Sequence, residues 1–353
     1  MQNIIFIFTV LCQKKYAKMK LNWEVASVQK VRGIMMTLVI AMVATILGSE
    51  FPVIGGAIFA IIIGIIINNI ILIPKKYEAG IKYSSKKILH YSIIVLGFTL
   101  SFQSIGAIGW KSLPIIIITL LAAFITVFLL MKIFKINEHL SILIGVGTAI
   151  CGGSAIAATS PVIKAKESEV AFAISTIFLF NLIAVFVFPP LGHVLNMGQT
   201  AFGYFGGTAI NDTSSVIAAT SNYGNTALET GAVVKLTRTL MIIPVVLFFT
   251  YRTIRKEKAK QTDTSIAKIF PWFIVWFIVA SLISTVFNFS PTVIHVFQQI
   301  SLFLITMAMA GIGLSVDFKQ FKQAGMKPVM LGLVTWIVVI ISSLITMKLI
   351  NLL

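Results

Sequence analysis

Three ionisable side chains, Asp212, Lys235 and Arg238, interrupt stretches that are otherwise apolar. Asp212 stands in the run Asn211-Asp212-Thr213-Ser214, which sets an amide and two hydroxyls beside its carboxylate. At the centre of a membrane helix a carboxylate costs roughly 3 kcal/mol on insertion scales, so it needs a cation, a proton or a basic partner. Those needs describe an ion-coupling group; the alternative is a structural ion pair that locks helices together. Lys235 and Arg238, three residues apart, project from one face of a helix. Together they cost roughly 5–7 kcal/mol unless partnered, a burden that a recurrent anion or Asp212 would explain. The planar fork of Arg238 suits oxyanions, whereas Lys235 reads equally as a structural cation.

The segments that must position these groups are two look-alike polar stretches. Gly147-Thr148-Ala149-Ile150 continues to Ser154-Ala-Ile-Ala-Ala-Thr-Ser160, and Gly207-Thr208-Ala209-Ile210 continues to Ser215-Val-Ile-Ala-Ala-Thr-Ser221. Adjacent glycines should break the first helix at Gly152-Gly153-Ser154, freeing amides that carry partial positive charge and suit an anion. Small residues also simply let helices approach closely, but the repetition of their surroundings favours a site at Gly152, Gly153, Ser154, Asn211, Thr213 and Ser214. Asn181, in an apolar run, is a further candidate beside Asp212 for ion coupling, with plain interhelical bonding as its alternative. His90, His139, His193 and His295 lack metal-ligand spacing; Asp317 and Glu229 read as interfacial residues, so no metal site is expected.

The chain around these stretches is 58% hydrophobic and 11% charged, which makes it a polytopic membrane protein. Apolar runs suited to crossing about 30 Å of hydrocarbon cover 33–48, 53–73, 88–104, 112–131, 168–190, 228–250, 270–287, 294–316 and 328–350. A net charge of +17 would suggest nucleic acid in a soluble protein, yet 22 of the 28 lysines and arginines fall in 13–32, 74–87, 132–139, 251–268 and 317–327. By the positive-inside rule these five connections are cytoplasmic, as is the N-terminus. The stretches 140–163 and 203–222 either cross completely or enter and return; Lys164 and Lys166 favour the return, and with it a pair of re-entrant or broken segments entering from opposite faces.

A second self-similarity relates Gly97-Phe-Thr-Leu-Ser101, with Pro114, to Gly311-Ile-Gly-Leu-Ser315, with Pro328. Loop charges put the first turn outside and the second inside, the relation of an inverted-topology repeat. Its offset of 214 residues differs from the offset of about 60 in the polar stretches, so one duplication cannot account for both. Cys12 and Cys151 exclude a disulfide framework, and no phosphate loop, zinc helix or dinucleotide fingerprint is present, so no cofactor is expected. Asn3 to Cys12 is too short to span and precedes its lysines, which is unlike a signal peptide; it reads as a surface helix or an extension ahead of Met19. The organisation expected is an N-terminal cytoplasmic or interfacial segment, 1–32, and a single transmembrane domain, 33–353. That domain should be all-α, with about 9–11 transmembrane helices, inverted-topology repeats and two broken or re-entrant helices.

With both polar stretches in view, and with the Val233-Val234-Lys235-Leu236-Thr237-Arg238 run that follows the second, the chain from Trp23 onward resembles the sulfate exporter family of bacterial inner-membrane proteins. That family looks related to the superfamily of cation/proton antiporters and bile-acid sodium symporters. The resemblance implies crossing discontinuous helices and a core domain moving against a panel. It carries site roles to Gly152, Gly153, Ser154, Asn211, Asp212, Thr213, Lys235 and Arg238. The expectation is a multi-pass secondary transporter of the bacterial plasma membrane, not an enzyme. It would move a small anion, with sulfate or a sulfonate as candidates, by alternating access coupled to H⁺ or Na⁺ at Asp212. Its partners are then the anionic solute, the coupling ion and the bilayer, with no nucleic acid, and homodimer formation is allowed. The rivals are a passive anion channel and an intramembrane enzyme, which would need a second carboxylate beside Asp212.

Overall fold

The computed structural model describes residues 30–51, 55–71, 73–257, 271–316 and 326–353. The expectations for 1–29, for the lysines of 258–268 and for Asp317 lie outside the described residues. All regular structure among the described residues is helical. Six helices are long and apolar enough to cross a membrane. They are α1 (Lys30–Glu50), α5 (Phe102–Phe134), α8 (Glu167–Val194), the continuous pair α11 (Asn225–Leu240) and α12 (Ile242–Glu257), α14 (Pro291–Gly313) and α15 (Met326–Leu349). Two shorter apolar helices, α2 (Gly55–Ile70) and α13 (Trp272–Phe287), accompany them. A further helical run joins α3 (Glu78–Tyr83), a π-helical turn (Ser84–Ile88) and α4 (Leu89–Gly97).

Two expected connections are helical instead. The lysine-rich stretch 74–87 enters the run just described, and 105–111 belongs to α5. The helix α5 starts early because Ser101 caps it, its Oγ accepting from Ser104 N at 3.1 Å. The four-residue break after Gly97 is held to α13, where Ser284 Oγ donates to Phe98 O and Ser281 Oγ to Leu100 O, each at 2.8 Å.

The two polar stretches are helical hairpins. The first is α6 (Glu138–Ala149) and α7 (Gly153–Thr159); the second is α9 (Gln199–Ala209) and α10 (Thr213–Tyr223). His139, at the start of α6, lies 3.7 Å from Glu169 in the first turn of α8, so the first hairpin returns to the face it entered. At the far end of α8 the Tyr223 hydroxyl donates to Met197 O at 2.6 Å and Thr226 N donates to Gln199 Oε1 at 3.1 Å, so the second hairpin also returns. The 28 residues of α8 span about 42 Å at 1.5 Å per residue, which separates the two entry faces by a bilayer. From the Gln199 face, α11 and α12 run back until Arg252 meets Glu138 at 2.7 Å.

The helices form two groups. In one, α2 packs on α14, and α4 packs on both α13 and α14; in the other, α9 packs on α11, α15 on α5, and α6 on α5 and α8. Contacts tie the faces together. Asn222, at the end of α10, lies against Gly55 at the start of α2, while Asn68 and Asn69 near the end of α2 donate to Val316 O at 2.8 and 3.1 Å. The end of α14 therefore lies on the Glu138 face. In a variant without Cys12 and Cys151, single cysteines at Glu138 and Lys164 should react with an impermeant thiol reagent from one side of the membrane, and a cysteine at Asn225 from the other. Labelling of positions 138 and 164 from opposite sides would contradict the hairpin.

Candidate functional site

The two hairpin tips meet, and their meeting point is set by backbone groups that need partners. A helix end leaves its last carbonyls without intrahelical donors, and no water is at hand inside a bilayer. At the end of α6, Gly152 N–H closes on Gly147 O at 2.9 Å. The next three carbonyls are taken by side chains: Arg238 donates through Nη2 to Thr148 O at 2.9 Å and through Nε to Ala149 O at 2.8 Å, and Lys235 Nζ donates to Ile150 O at 2.8 Å. At the end of α9 the pattern repeats, with Arg238 Nη1 donating to Thr208 O and Trp336 Nε1 to Ala209 O at 3.0 Å. Lys235 Nζ donates to Ile210 O at 3.0 Å and to Asn211 O. Lys235 has thus used all three of its N–H groups on carbonyls, which requires the protonated ammonium.

Both cations are fully buried. Lys235 and Arg238, expected at a bound anion, are not among the residues lining the cavity that adjoins the crossing, and among the described residues neither is ion-paired with Asp212. Their donors point at the helix ends, the position where cations offset the negative pole of the helix dipole. The i, i+3 spacing that places them on one face serves two helix ends at once.

On the other side of the crossing the two returning helices begin. Gly152 adopts φ +70°, a conformation open to glycine, and its Cα faces Asp212, whose Cβ would be 3.4 Å from an added methyl group. Asp212 caps α10: its carboxylate accepts from Ser214 N at 2.9 Å and from the Ser214 hydroxyl. Asn181, buried on α8, fixes the loop by accepting from Asp212 N at 3.1 Å through Oδ1.

A cavity of about 590 Å³ opens in front of these groups. Gly153, Ser154, Asn181, Asp212, Thr213 and Ser214 line it, so six of the ten residues singled out in the sequence share one wall. Gly152 sits beside the wall, and Asn211 is fully buried with both amide atoms unpartnered among the described residues. The opposite wall comes from the other helix group: Ser85, Lys86 and His90 from the π-helical turn and α4, Phe273 from α13, and Ser315 beyond α14. The cavity thus lies between the two groups and reaches the end of α14 on the Glu138 face. Toward the Gln199 face the groups touch, with the Thr99 hydroxyl donating to Glu229 at 2.9 Å and Asn222 against Gly55.

Sequence reasoning missed Trp336, Lys86, His90 and the contact of Glu229. Nothing distinguishes Lys86 among the five lysines of 74–87, and one tryptophan in an apolar helix carries no signal of the carbonyl it serves. Ser315 was visible only as part of the Gly311–Ser315 repeat.

Replacing Arg238 by Met should destabilise the protein by about 3 kcal/mol or more, because each buried carbonyl left without a donor costs about 1–3 kcal/mol. Ser154→Ala should stay within about 0.5 kcal/mol, since that side chain faces the open cavity. Melting of the purified variants without ligand measures both; a wild-type melting temperature for Arg238→Met would contradict the capping role.

The family described as Conserved hypothetical protein 698 matches residues 32–332. The chain is also similar to a UPF0324 membrane protein of Fusobacterium nucleatum, 44% identical over 335 residues that cover 89% of this chain and 96% of the relative. A UPF0324 membrane protein of Streptococcus pneumoniae is 43% identical over 319 residues, 88% and 95% of the two chains. One from Streptococcus agalactiae is 42% identical over 324 residues, 90% and 96%. With its long apolar helices and this match over most of its length, the chain is a multi-pass membrane protein that belongs to the family described as Conserved hypothetical protein 698.

Proposed function

We propose that the protein is a secondary transporter of a small anion, working by alternating access. The observation that carries this reading is the charge at the crossing. Lys235 and Arg238 contribute two positive charges and Asp212 one negative charge, while the two helix C-termini and the two N-termini, at about half a charge each, cancel. The crossing is left at about +1 with Asp212 ionised and about +2 with it protonated. A net positive crossing favours an anion as the transported solute, with Asp212 as the one group there that attracts a cation.

Polar groups that could hold an anion face the cavity: the hydroxyls of Ser154 and Thr213, joined by the Ser214 hydroxyl when the Asp212 carboxylate releases it. Sulfate and sulfonates, named through the family resemblance, are compact enough for it. Asp212 is then the coupling group. Binding H⁺ or Na⁺ there removes a negative charge beside the anion and raises affinity for it, so the two ligands favour one another.

Two hairpins entering from opposite faces support an inverted repeat, and a cavity between two helix groups, closed at one end, supports motion of one group against the other. The lysine-rich connections assign the Glu138 face to the cytoplasm, which makes this arrangement inward-facing. Asn211 is the counterpart of Cys151 in the second stretch, and Cys151 lines the cavity. In the outward-facing arrangement Asn211 would line the equivalent space, where its amide finds partners. The contact of Thr99 with Glu229 at the closed end argues against a passive anion channel, and the single carboxylate among the described lining residues argues against an intramembrane enzyme.

In proteoliposomes, sulfate or sulfonate uptake should saturate and respond to a proton or sodium gradient. Asp212→Asn should abolish the gradient dependence while the protein stays folded. Unsaturable flux, or gradient-driven uptake unchanged in Asp212→Asn, would overturn the reading.

A further inference from the structure

The cations at the crossing shape the field but do not reach the cavity, because both are fully buried, neither is among its lining residues, and they are bonded to hairpin carbonyls. A bound anion must find its direct counter-charge elsewhere. We infer that Lys86, on the opposite wall, is that counter-charge, and that the ligand is a compact oxyanion gripped between the two helix groups; this rests on the anion-transport reading above.

Among the described residues, Lys86 is the lysine or arginine that lines the cavity. It stands there because of the π-helical turn Ser84–Ile88, whose extra residue shifts the register of the face that follows. The face so produced carries Ser85 and Leu89, then Lys86 and His90, each pair four residues apart and all four on the cavity wall. Lys87, one residue on, does not line it.

Two contacts hold the turn in place. Ser84 Oγ and Thr37 Oγ1 of α1 are hydrogen-bonded at 2.8 Å in a fully buried position. On the other side α14 approaches through Gly311, where an added Cβ would lie 2.9 Å from Ser85 N and 3.0 Å from Ile81 O. The His90 ring, stacked on Phe273 at 4.2 Å, flanks the site and adds a ring N–H donor beside the Lys86 ammonium. The repeated motif Gly311–Ser315 thereby acquires a use: its glycine seats the π-helical turn and its serine joins Lys86 on the wall.

The chemistry of this wall selects the ligand class. A lysine ammonium is a compact point charge without the planar fork that grips a carboxylate; Ser85, Ser315 and Ser214 already donate to Lys82 O, Gly311 O and Asp212, which leaves the hydroxyls of Ser154 and Thr213 as donors across the cavity. A tetrahedral oxyanion with several acceptor oxygens suits such a set. Held between Lys86 on one group and Ser154 and Thr213 on the other, it would also draw the two groups together when bound.

Sulfate binding to the purified full chain, measured by isothermal titration beside the melting temperature of the ligand-free protein, tests this. Lys86→Gln should weaken sulfate binding about 10- to 100-fold, as loss of a charge-assisted contact does. Lys86→Arg should recover most of the affinity, Lys87→Gln should bind as wild type, and all three should melt near the wild-type temperature. Wild-type affinity in Lys86→Gln overturns the assignment and leaves the transport reading standing. Weakened binding that Lys86→Arg does not recover, together with a lowered melting temperature, makes Lys86 structural and also overturns it. If the wild-type chain binds neither sulfate nor small sulfonates, the transport reading falls and the assignment falls with it.

Discussion

Seven backbone carbonyls at two helix ends, inside a bilayer, must each find a donor that water cannot supply. Lys235, Arg238 and Trp336 supply them, to residues 148 to 150 of one hairpin and 208 to 211 of the other. An unsatisfied polar group at that depth costs several kcal/mol, so these side chains stabilise the turn of each hairpin there. The same contacts fix how the two tips meet, and with them the positions of Asp212, Ser154 and Ser214.

This arrangement separates two jobs that charged residues in membranes are often asked to do together. The cations are scaffold, sealed from solvent and bonded to the backbone, and they act on the cavity through space. The groups that face the cavity are smaller and softer in charge: hydroxyls, helix-end amides and one half-buried carboxylate. Because the scaffold cations are held by carbonyls away from the cavity, Asp212 is the charged group of the crossing that faces it, and its state sets how positive the crossing is there. A single protonation there changes the local field by one full charge, the physical basis on which the proposed transporter would couple an ion to an anion.

The broad architecture was legible in the sequence because it rests on long apolar runs and on the side of the membrane that lysines prefer. The hairpins were legible too, since Lys164 and Lys166 after the first stretch pointed to a return to the entry face. Asp212 and Ser154 were visible as polar residues where none should be. What the sequence could not convey was direction: an arginine beside a binding segment and an arginine capping that segment have the same composition and spacing. Lys235 and Arg238 were therefore expected at the ligand, and the carbonyls that hold them leave no trace in a residue pattern. Lys86 was hidden for a different reason. A π-helical turn is a matter of one residue of register, set here by the approach of Gly311 and the bond to Thr37, and both are distant in the chain.

The most direct test is a diffraction experiment on crystals grown with selenate, an oxyanion whose selenium can be located by its anomalous signal. A peak is expected in the cavity within hydrogen-bond reach of Ser154 and Thr213, with Lys235 and Arg238 still bonded to the hairpin carbonyls. A peak in contact with the Arg238 guanidinium or the Lys235 ammonium, with those carbonyls released, would contradict it.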